Sequence, residues 1–329
     1  MRRTIAAALI LAGAALAGVP RAQAAPPRLA FPLACQVGRT CEVQNYVDRD
    51  PGPAWADYHC GHRSYNGHTG TDIRILDLKM QRAGVPVLAA APGKVLRLRD
   101  GVPDVLLKDM NQPHDDKIGC GNAVVIDHGD GWITGYCHMM KGSVRVKVGE
   151  SVAAGAPLGK VGLSGDTQFP HLHIEVRHAG QVVDPFAPAP LAPGTCAPQP
   201  ELWDAAAARA LAYKRGVIFN AGLAGAQVNE DAVEEGGLAS FDAGAPVISA
   251  YMRPLNLEQG DVMELTFTTP GREPKVVRMP PLAHNSAQQF IGLSRPRPPG
   301  GWPHGAYVAD FKVWRAGKPV LERRVAARL

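Results

Sequence analysis

The chain has 329 residues, a formal charge of +5, 46% hydrophobic and 20% charged positions. Ordinary apolar content excludes disorder as the main state, and the charge of +2 that remains without the first 24 residues argues against nucleic acid as a partner. Glycine and proline make up about a fifth of the sequence, which favours turns and short strands over long helices, and the length suits about two domains.

At the N-terminus, Arg2 and Arg3 precede an apolar run from Thr4 to Val19, and Ala22-Gln23-Ala24 offers a small-residue cleavage site. The run is 16 residues long, short of the ~20 that a spanning helix needs, so residues 1–24 read as a secretory signal peptide. Losing Arg2, Arg3 and Arg21 with it lowers the charge to +2. The expectation is an exported protein, periplasmic or extracellular, with no stable membrane insertion after cleavage.

Export decides how the six cysteines are read. Cys35, Cys41, Cys60, Cys120, Cys137 and Cys196 form an even set, as disulfides in an oxidising compartment require. Cys35 and Cys41 are close enough to close a small loop, while the other four allow three pairings. Thiolate zinc ligation is the rival reading, but no C-x-x-C pair supports it.

Residues 25–66 read as an irregular, disulfide-containing lead-in, whose Asn45 or Asp48 could reach a metal site in a latent form. From Gly67 onward come short apolar segments separated by glycine turns. Val124-Val125-Ile126 and the stretch Ile133 to Met139 flank His128-Gly129-Asp130-Gly131, a β-hairpin pattern. Gly84-Val85-Pro86-Val87 with Ala89 to Val95 is echoed by Gly149-Glu150-Ser151-Val152 with Ala154 to Val161, which predicts a core of two similar β-units. Residues 188–200 form a proline-rich linker, and a second domain is expected over residues 201–329. There Leu202 to Lys214 suits a helix. Met263, Leu265 and Phe267, then Tyr307, Ala309, Phe311 and Val313, alternate with polar or less apolar neighbours as half-buried antiparallel strands do, so a small β-sandwich is predicted.

Nine of the eleven histidines lie between residues 59 and 178. In His171-Leu172-His173 on a strand, both imidazoles project to one face while Leu172 and Ile174 turn to the core. His68 and Asp72 would be about 13 Å apart in an extended strand, too far to share an ion. The glycines Gly67 and Gly70 permit a kinked loop-to-strand entry that brings them together. Two imidazoles and one carboxylate form a catalytic type of zinc set with a fourth position left for water. By strand alternation, His138 shares a face with Thr134 and Tyr136, and Cys137 points away. No H-E-x-x-H sequence is present, so a glutamate base of that kind is absent. Glu175 falls on the face of His171 and His173. His128 falls in a turn and His178 near another, and His59, His62, His114, His284 and His304 lack a partner pattern.

Together these segments resemble the lysostaphin/LytM-type zinc metallopeptidases, which cut peptide bonds in peptidoglycan. The resemblance covers about residues 67–186. It rests on the H-x-G-x-D form of His68 to Asp72, the GVPVLAAAPGKV stretch, NAVVIDHGDGW, YCHM, the long run ending PHLHIEV, and Val183-Asp184-Pro185. It implies a mainly β fold: an antiparallel peptidase domain of the duplicated hybrid motif type with two related halves over residues 67–187, followed here by the extra C-terminal β-domain. It further implies one zinc ion held by His68, Asp72 and His173. His138 and His171 would be the catalytic pair, with Tyr136 and Glu175 as supporting or substrate-groove side chains. Peptidoglycan stem peptides would be the substrate, with no nucleic acid involved, and the C-terminal domain could meet an envelope protein. A non-catalytic relative that binds cell wall or activates another hydrolase, or a zinc peptidase acting on proteins, is the alternative. An insertion around Asp100 to Cys120, the cysteines and the C-terminal domain depart from the family pattern.

Overall fold

The computed structural model describes residues 25–107, 116–190 and 194–329; the expected signal peptide and His114 lie outside them. Its first unit contains strands β1 (Cys41–Asn45), β2 (Thr71–Ile75), β3 (Pro86–Leu88), β4 (Gly93–Arg99), β5 (Asn122–Gly129), β6 (Trp132–Met139), β7 (Ser151–Val152), β8 (Pro157–Lys160), β9 (His171–His178) and β10 (Gln181–Val182), with short helices α1 (Leu78–Ala83) and α2 (Ala205–Ala210). The main sheet runs β1-β2-β9-β6-β5-β4-β7, all antiparallel, with β10 beside β9. The β5–β6 hairpin closes on Asp130 and Gly131 at φ 47° and 81°, the left-handed pair that a two-residue turn of the twist-matching type needs.

The internal echo is structural. Strand β3 of the first copy pairs with β8 of the second, and β4 of the first pairs with β7 of the second. Each copy thus lends its leading and trailing strand to the other, as two related halves do when they exchange edges.

The first core includes Val43, Ile73, Val124, Ile126, Leu172 and Ile174, all essentially inaccessible. It also takes in Leu29 and Leu33 from the lead-in and Leu202, Trp203, Ala207 and Leu211 from beyond the linker. Two expectations change accordingly. The lead-in is not irregular throughout, because β1 is a strand of the main sheet. The predicted helix is short, and it packs into the first core, so the second hydrophobic core starts only near Ile218. Burying Leu202 and Trp203 against Leu29 gains more than exposing them on a separate domain.

The second unit has β11 (Val217–Ala224), α3 (Glu230–Glu235), β12 (Val247–Leu257), β13 (Val262–Thr268), β14 (Lys275–Arg278), β15 (Ser286–Gln288), β16 (Ile291–Pro296), β17 (Ala306–Arg315) and β18 (Lys318–Arg328). Strand β12 pairs with β11, β15 and β16 in one sheet, and the other runs β14-β13-β17-β18. Met263, Leu265, Phe267, Tyr307, Ala309, Phe311 and Val313 turn into a shared core with Ile248 and Met252, which is the sandwich that the alternation predicted. Disulfides join Cys35 to Cys41, Cys60 to Cys196 and Cys120 to Cys137, so no described cysteine is left as a thiolate ligand.

Candidate metal centre

Strand register builds the site. Asp72 on β2 stands opposite His173 on β9, and Arg74 stands opposite His171. Directly opposed residues present their side chains to the same face, so Asp72, His171 and His173 converge. His68 arrives from the loop before β2. The intervening Gly70 lies so close to β9 that a Cβ there would sit 2.5 Å from His173 Nε2 and 2.7 Å from the Ile174 carbonyl. Only glycine lets the chain pass. That explains the glycine between the two ligand candidates.

The donor atoms form a tight triangle. Asp72 Oδ1 lies 3.1 Å from His68 Nε2 and 2.9 Å from His173 Nδ1, and the two nitrogens are 3.2 Å apart. A tetrahedral ion bound at ~2.0–2.1 Å places its ligand atoms about 3.3–3.4 Å apart, so these residues fit zinc with only small adjustment. Among the described residues, His68, Asp72 and His173 are the group whose donors could hold a metal ion together. His68 and Asp72 are oriented by partners outside the cluster. His68 Nδ1 donates to the Tyr46 carbonyl at 2.6 Å, which leaves Nε2 with its lone pair towards the cluster. Asn45 Nδ2 donates to Asp72 Oδ2 at 2.9 Å, which turns Oδ1 inward. The exposed Tyr65 ring stacks on His68, centroids 4.4 Å apart.

His138 and His171 complete the arrangement, their ring centroids 4.6 Å apart. His171 Nδ1 lies 2.8 Å from the Phe169 carbonyl and 3.0 Å from Thr167 Oγ1, and its Nε2 lies 3.5 Å from Asp72 Oδ1. His138 Nδ1 donates to the Ser164 carbonyl at 2.9 Å. His138 borders the cleft with Nε2 as its remaining ring nitrogen, whereas the Nε2 of His171 is turned towards Asp72.

The path of His138 corrects the alternation argument. Cys137 pairs with His173 and therefore shares the site face, whereas Thr134 and Tyr136 lie over the core. His138 would follow them, but its φ of 58° turns the backbone and returns its ring to the site. A left-handed conformation at a non-glycine residue costs about 1–2 kcal/mol. The His138 N–H donates to the Cys120 carbonyl and its own carbonyl accepts from Gly162 N–H, at 2.9 and 2.8 Å, which holds it in place. The Cys120–Cys137 disulfide braces the same turn.

Tyr136 also departs from expectation. It borders the cleft, yet its ring is fully buried and its hydroxyl accepts from Ala90 N–H at 2.7 Å, beside Thr134 Oγ1. That hydroxyl serves the core, not the donors. Glu175 does line the cleft, where Arg177 holds its carboxylate. The latent-form expectation fails as well. Asn45 supports Asp72 instead of capping a metal, and Asp48 is occupied by the N–H groups of Asp50, Ala56 and Gly67. His128 and His178 are structural: the first bonds the Pro92 carbonyl and Thr134, and the second stacks on Trp132.

Electrostatics separate the imidazoles by role. Burial pushes His138 well below the usual histidine range, and the neighbouring His171 and His173 add to this, so the ring is neutral at pH 7. His171 is lowered by burial too, with Asp72 opposing. For His68 burial is outweighed by Asp72 and the Tyr46 carbonyl, which raise it. Burial alone would raise Asp72, but the surrounding histidines outweigh it and hold the carboxyl well below its ordinary value. The cleft beside the donors has a volume of about 640 Å³. Tyr65, Asp166 and Glu175 are among its residues, as are the two cations Arg97 and Arg99. Sequence reasoning placed Asn45 near the site in another role, and it missed Tyr65 and the carbonyls of Tyr46, Ser164 and Phe169, for which a single sequence carries no signal.

The sequence around this centre is similar to that of known proteins. Residues 66–185 match the sequence model described as Peptidase family M23. The chain is 35% identical over 105 residues to the cell division protein DipM of Caulobacter vibrioides, covering 32% of this chain and 14% of that protein. It is 32% identical over 117 residues to the peptidoglycan DD-endopeptidase ShyA of Vibrio cholerae, covering 36% and 22%. It is 38% identical over 100 residues to the murein hydrolase activator EnvC of Escherichia coli, covering 30% and 22%. The chain therefore spans about a fifth or less of the length of these curated relatives.

Proposed function

We propose, from the premise that residues 66–185 are a domain of peptidase family M23, that the chain is an exported zinc endopeptidase hydrolysing the peptide cross-links of bacterial peptidoglycan. The observation that carries this reading is the triangle of His68 Nε2, Asp72 Oδ1 and His173 Nδ1 with two further imidazoles facing it. Residues that merely stabilised the sheet would not need five polar side chains converging on one point beside a cleft. His68, Asp72 and His173 would hold a single zinc ion. When bound, that ion supplies Lewis acidity and lowers the pKa of water towards ~7.

The remaining work falls to the protein. The Nε2 atoms of His138, at the cleft, and of His171, beside Asp72, are the ring nitrogens left for proton transfer. One of them accepts the proton of the attacking water as its oxygen bonds to the scissile carbonyl carbon. An imidazolium N–H then stabilises the developing oxyanion and delivers a proton to the departing nitrogen as the C–N bond breaks. The products are a carboxylate and an amine. Burial keeps His138 neutral, so it can serve as the base at neutral pH.

The relative named as a DD-endopeptidase supports a peptidoglycan substrate, and the one named as a hydrolase activator supports the second reading, a non-catalytic partner of another envelope enzyme. The complete donor set favours catalysis. A purified cross-linked muropeptide dimer tests this: zinc-loaded protein should release monomers, a chelator should stop release, and added zinc should restore it. Intact dimer in the presence of zinc-loaded protein would refute the catalytic reading.

A further inference from the structure

The strands that carry Asp72 and its support are also the strands that the C-terminal unit touches. Arg74 on β2, opposite His171, is 1% exposed. Its Nη2 forms an ion pair with Glu234 Oε2 of α3, and its Nη1 donates to Gln288 Oε1 at 2.6 Å and to Gln44 Oε1 at 3.1 Å. The same Glu234 oxygen accepts from Arg253 Nη1, while Arg253 Nη2 donates to the Leu76 carbonyl at 2.6 Å. Asn256 adds a bond to the Gln44 carbonyl at 3.0 Å. One carboxylate of the second unit is thus set between two buried guanidinium groups, one from each unit.

Arg74 in turn bears on the site. Its guanidinium carbon lies 4.8 Å from the centroid of the Phe169 ring, and that ring lies 4.5 Å from the ring of His171. The Phe169 carbonyl is also the 2.8 Å partner of His171 Nδ1. A continuous line of contacts runs from Glu234 through Arg74 and Phe169 to the imidazole.

We propose that the C-terminal unit is a positioning element for the catalytic centre, with Glu234 acting through Arg74 and Phe169 to set the orientation of His171. This rests on the reading of His171 as a catalytic group. Removing the Glu234 charge takes away the carboxylate that the buried cations Arg74 and Arg253 share, leaving Glu230 as the remaining carboxylate acting on Arg74, and the separation of the two cations moves Phe169 and the ring it steadies. No metal-ligand candidate is touched, so zinc binding should survive while alignment is lost. A displacement of about 1 Å costs on the order of 10²-fold in rate.

The test uses the full chain. In E234Q, zinc content should match the wild type, kcat should fall ~10- to 100-fold, and KM should stay within about twofold. In the metal-free protein, the ¹⁵N and ¹H signals of the His171 imidazole should shift, a readout independent of turnover. F169L is the second variant, should E234Q fail to fold: it should lower kcat with zinc retained, and in the double variant the two losses should not add. Unchanged kcat and unchanged His171 signals in the folded variants, whatever their melting temperature, would overturn the proposal. Should the wild type itself not hydrolyse peptide, the imidazole signals still decide the coupling, so the two failures are told apart.

Discussion

Replacing Gly70 by alanine is the most discriminating small change available. The added methyl would meet His173 Nε2 at 2.5 Å, His173 Cε1 at 2.6 Å and the Ile174 carbonyl at 2.7 Å. The carbonyl belongs to β9, where Ile174 pairs with Thr71, so it yields only if the sheet deforms. The imidazole must therefore move by roughly 0.8–0.9 Å to regain ordinary contact, several times the ~0.2 Å tolerance of a metal–ligand distance. Overpacking of this kind costs ~1–3 kcal/mol. The expected loss of zinc affinity exceeds the ~10–100-fold that follows removal of an outer-sphere partner. Gly67 is the control: its φ is 76°, but nothing lies within 4 Å of where its Cβ would stand, so Gly67→Ala should cost ~1–2 kcal/mol of stability and leave zinc binding intact. Zinc titration with a chromogenic competitor and thermal melts of both variants provide the assay. Zinc binding in Gly70→Ala equal to that of Gly67→Ala would refute the argument.

Single alanine variants of His68, Asp72 and His173 should lose zinc and activity together, whereas His138→Ala and His171→Ala should keep zinc and lose ~10²–10⁴ in kcat; metal analysis beside kinetics checks this. Because burial and its imidazole neighbours lower His138, the acid limb of the rate profile should fall below pH 6.5, which a pH–rate series of the zinc-loaded protein measures. Burial raises Asp184 to about 6, above its unfolded value of ~3.9. A raised carboxyl contributes stability that is present below pH ~4 and lost as pH rises through 6, about 3 kcal/mol in all, and Asp184→Asn should flatten that slope in denaturant melts. Reducing Cys120–Cys137, or replacing both by serine, should lower kcat before it unfolds the chain, because the left-handed turn at His138 leans on that bridge; activity and melting followed together would show it.

Much of the centre was legible in the residues, and the reasons are local. His171 and His173 alternate with Leu172 and Ile174 on one strand, and the kink between His68 and Asp72 was announced by Gly67 and Gly70. Likewise the echo of residues 84–95 in 149–161 marked two units that exchange strands. What escaped was non-local or broke a period. His138 left its expected face through one positive φ, which no side-chain pattern encodes. The carbonyls that orient the imidazoles belong to Tyr46, Ser164 and Phe169, whose side chains give no hint of that role. Leu202 and Trp203 followed a proline-rich stretch and looked like the start of a new domain, yet they close the first core. The Arg74–Glu234 pair spans 160 positions and becomes visible only when the second unit folds against β2.

Whether this chain itself cuts peptide cross-links is answered most directly by mass-spectrometric mapping of muropeptides from purified sacculi. Zinc-loaded protein alone should convert cross-linked dimers to monomers with new carboxylate and amine ends, the His171→Ala variant should not, and a chelator should abolish the conversion. Sacculi whose cross-links stay intact with zinc-loaded protein, but which a separate hydrolase digests faster in its presence, would contradict the account and make the chain an activator.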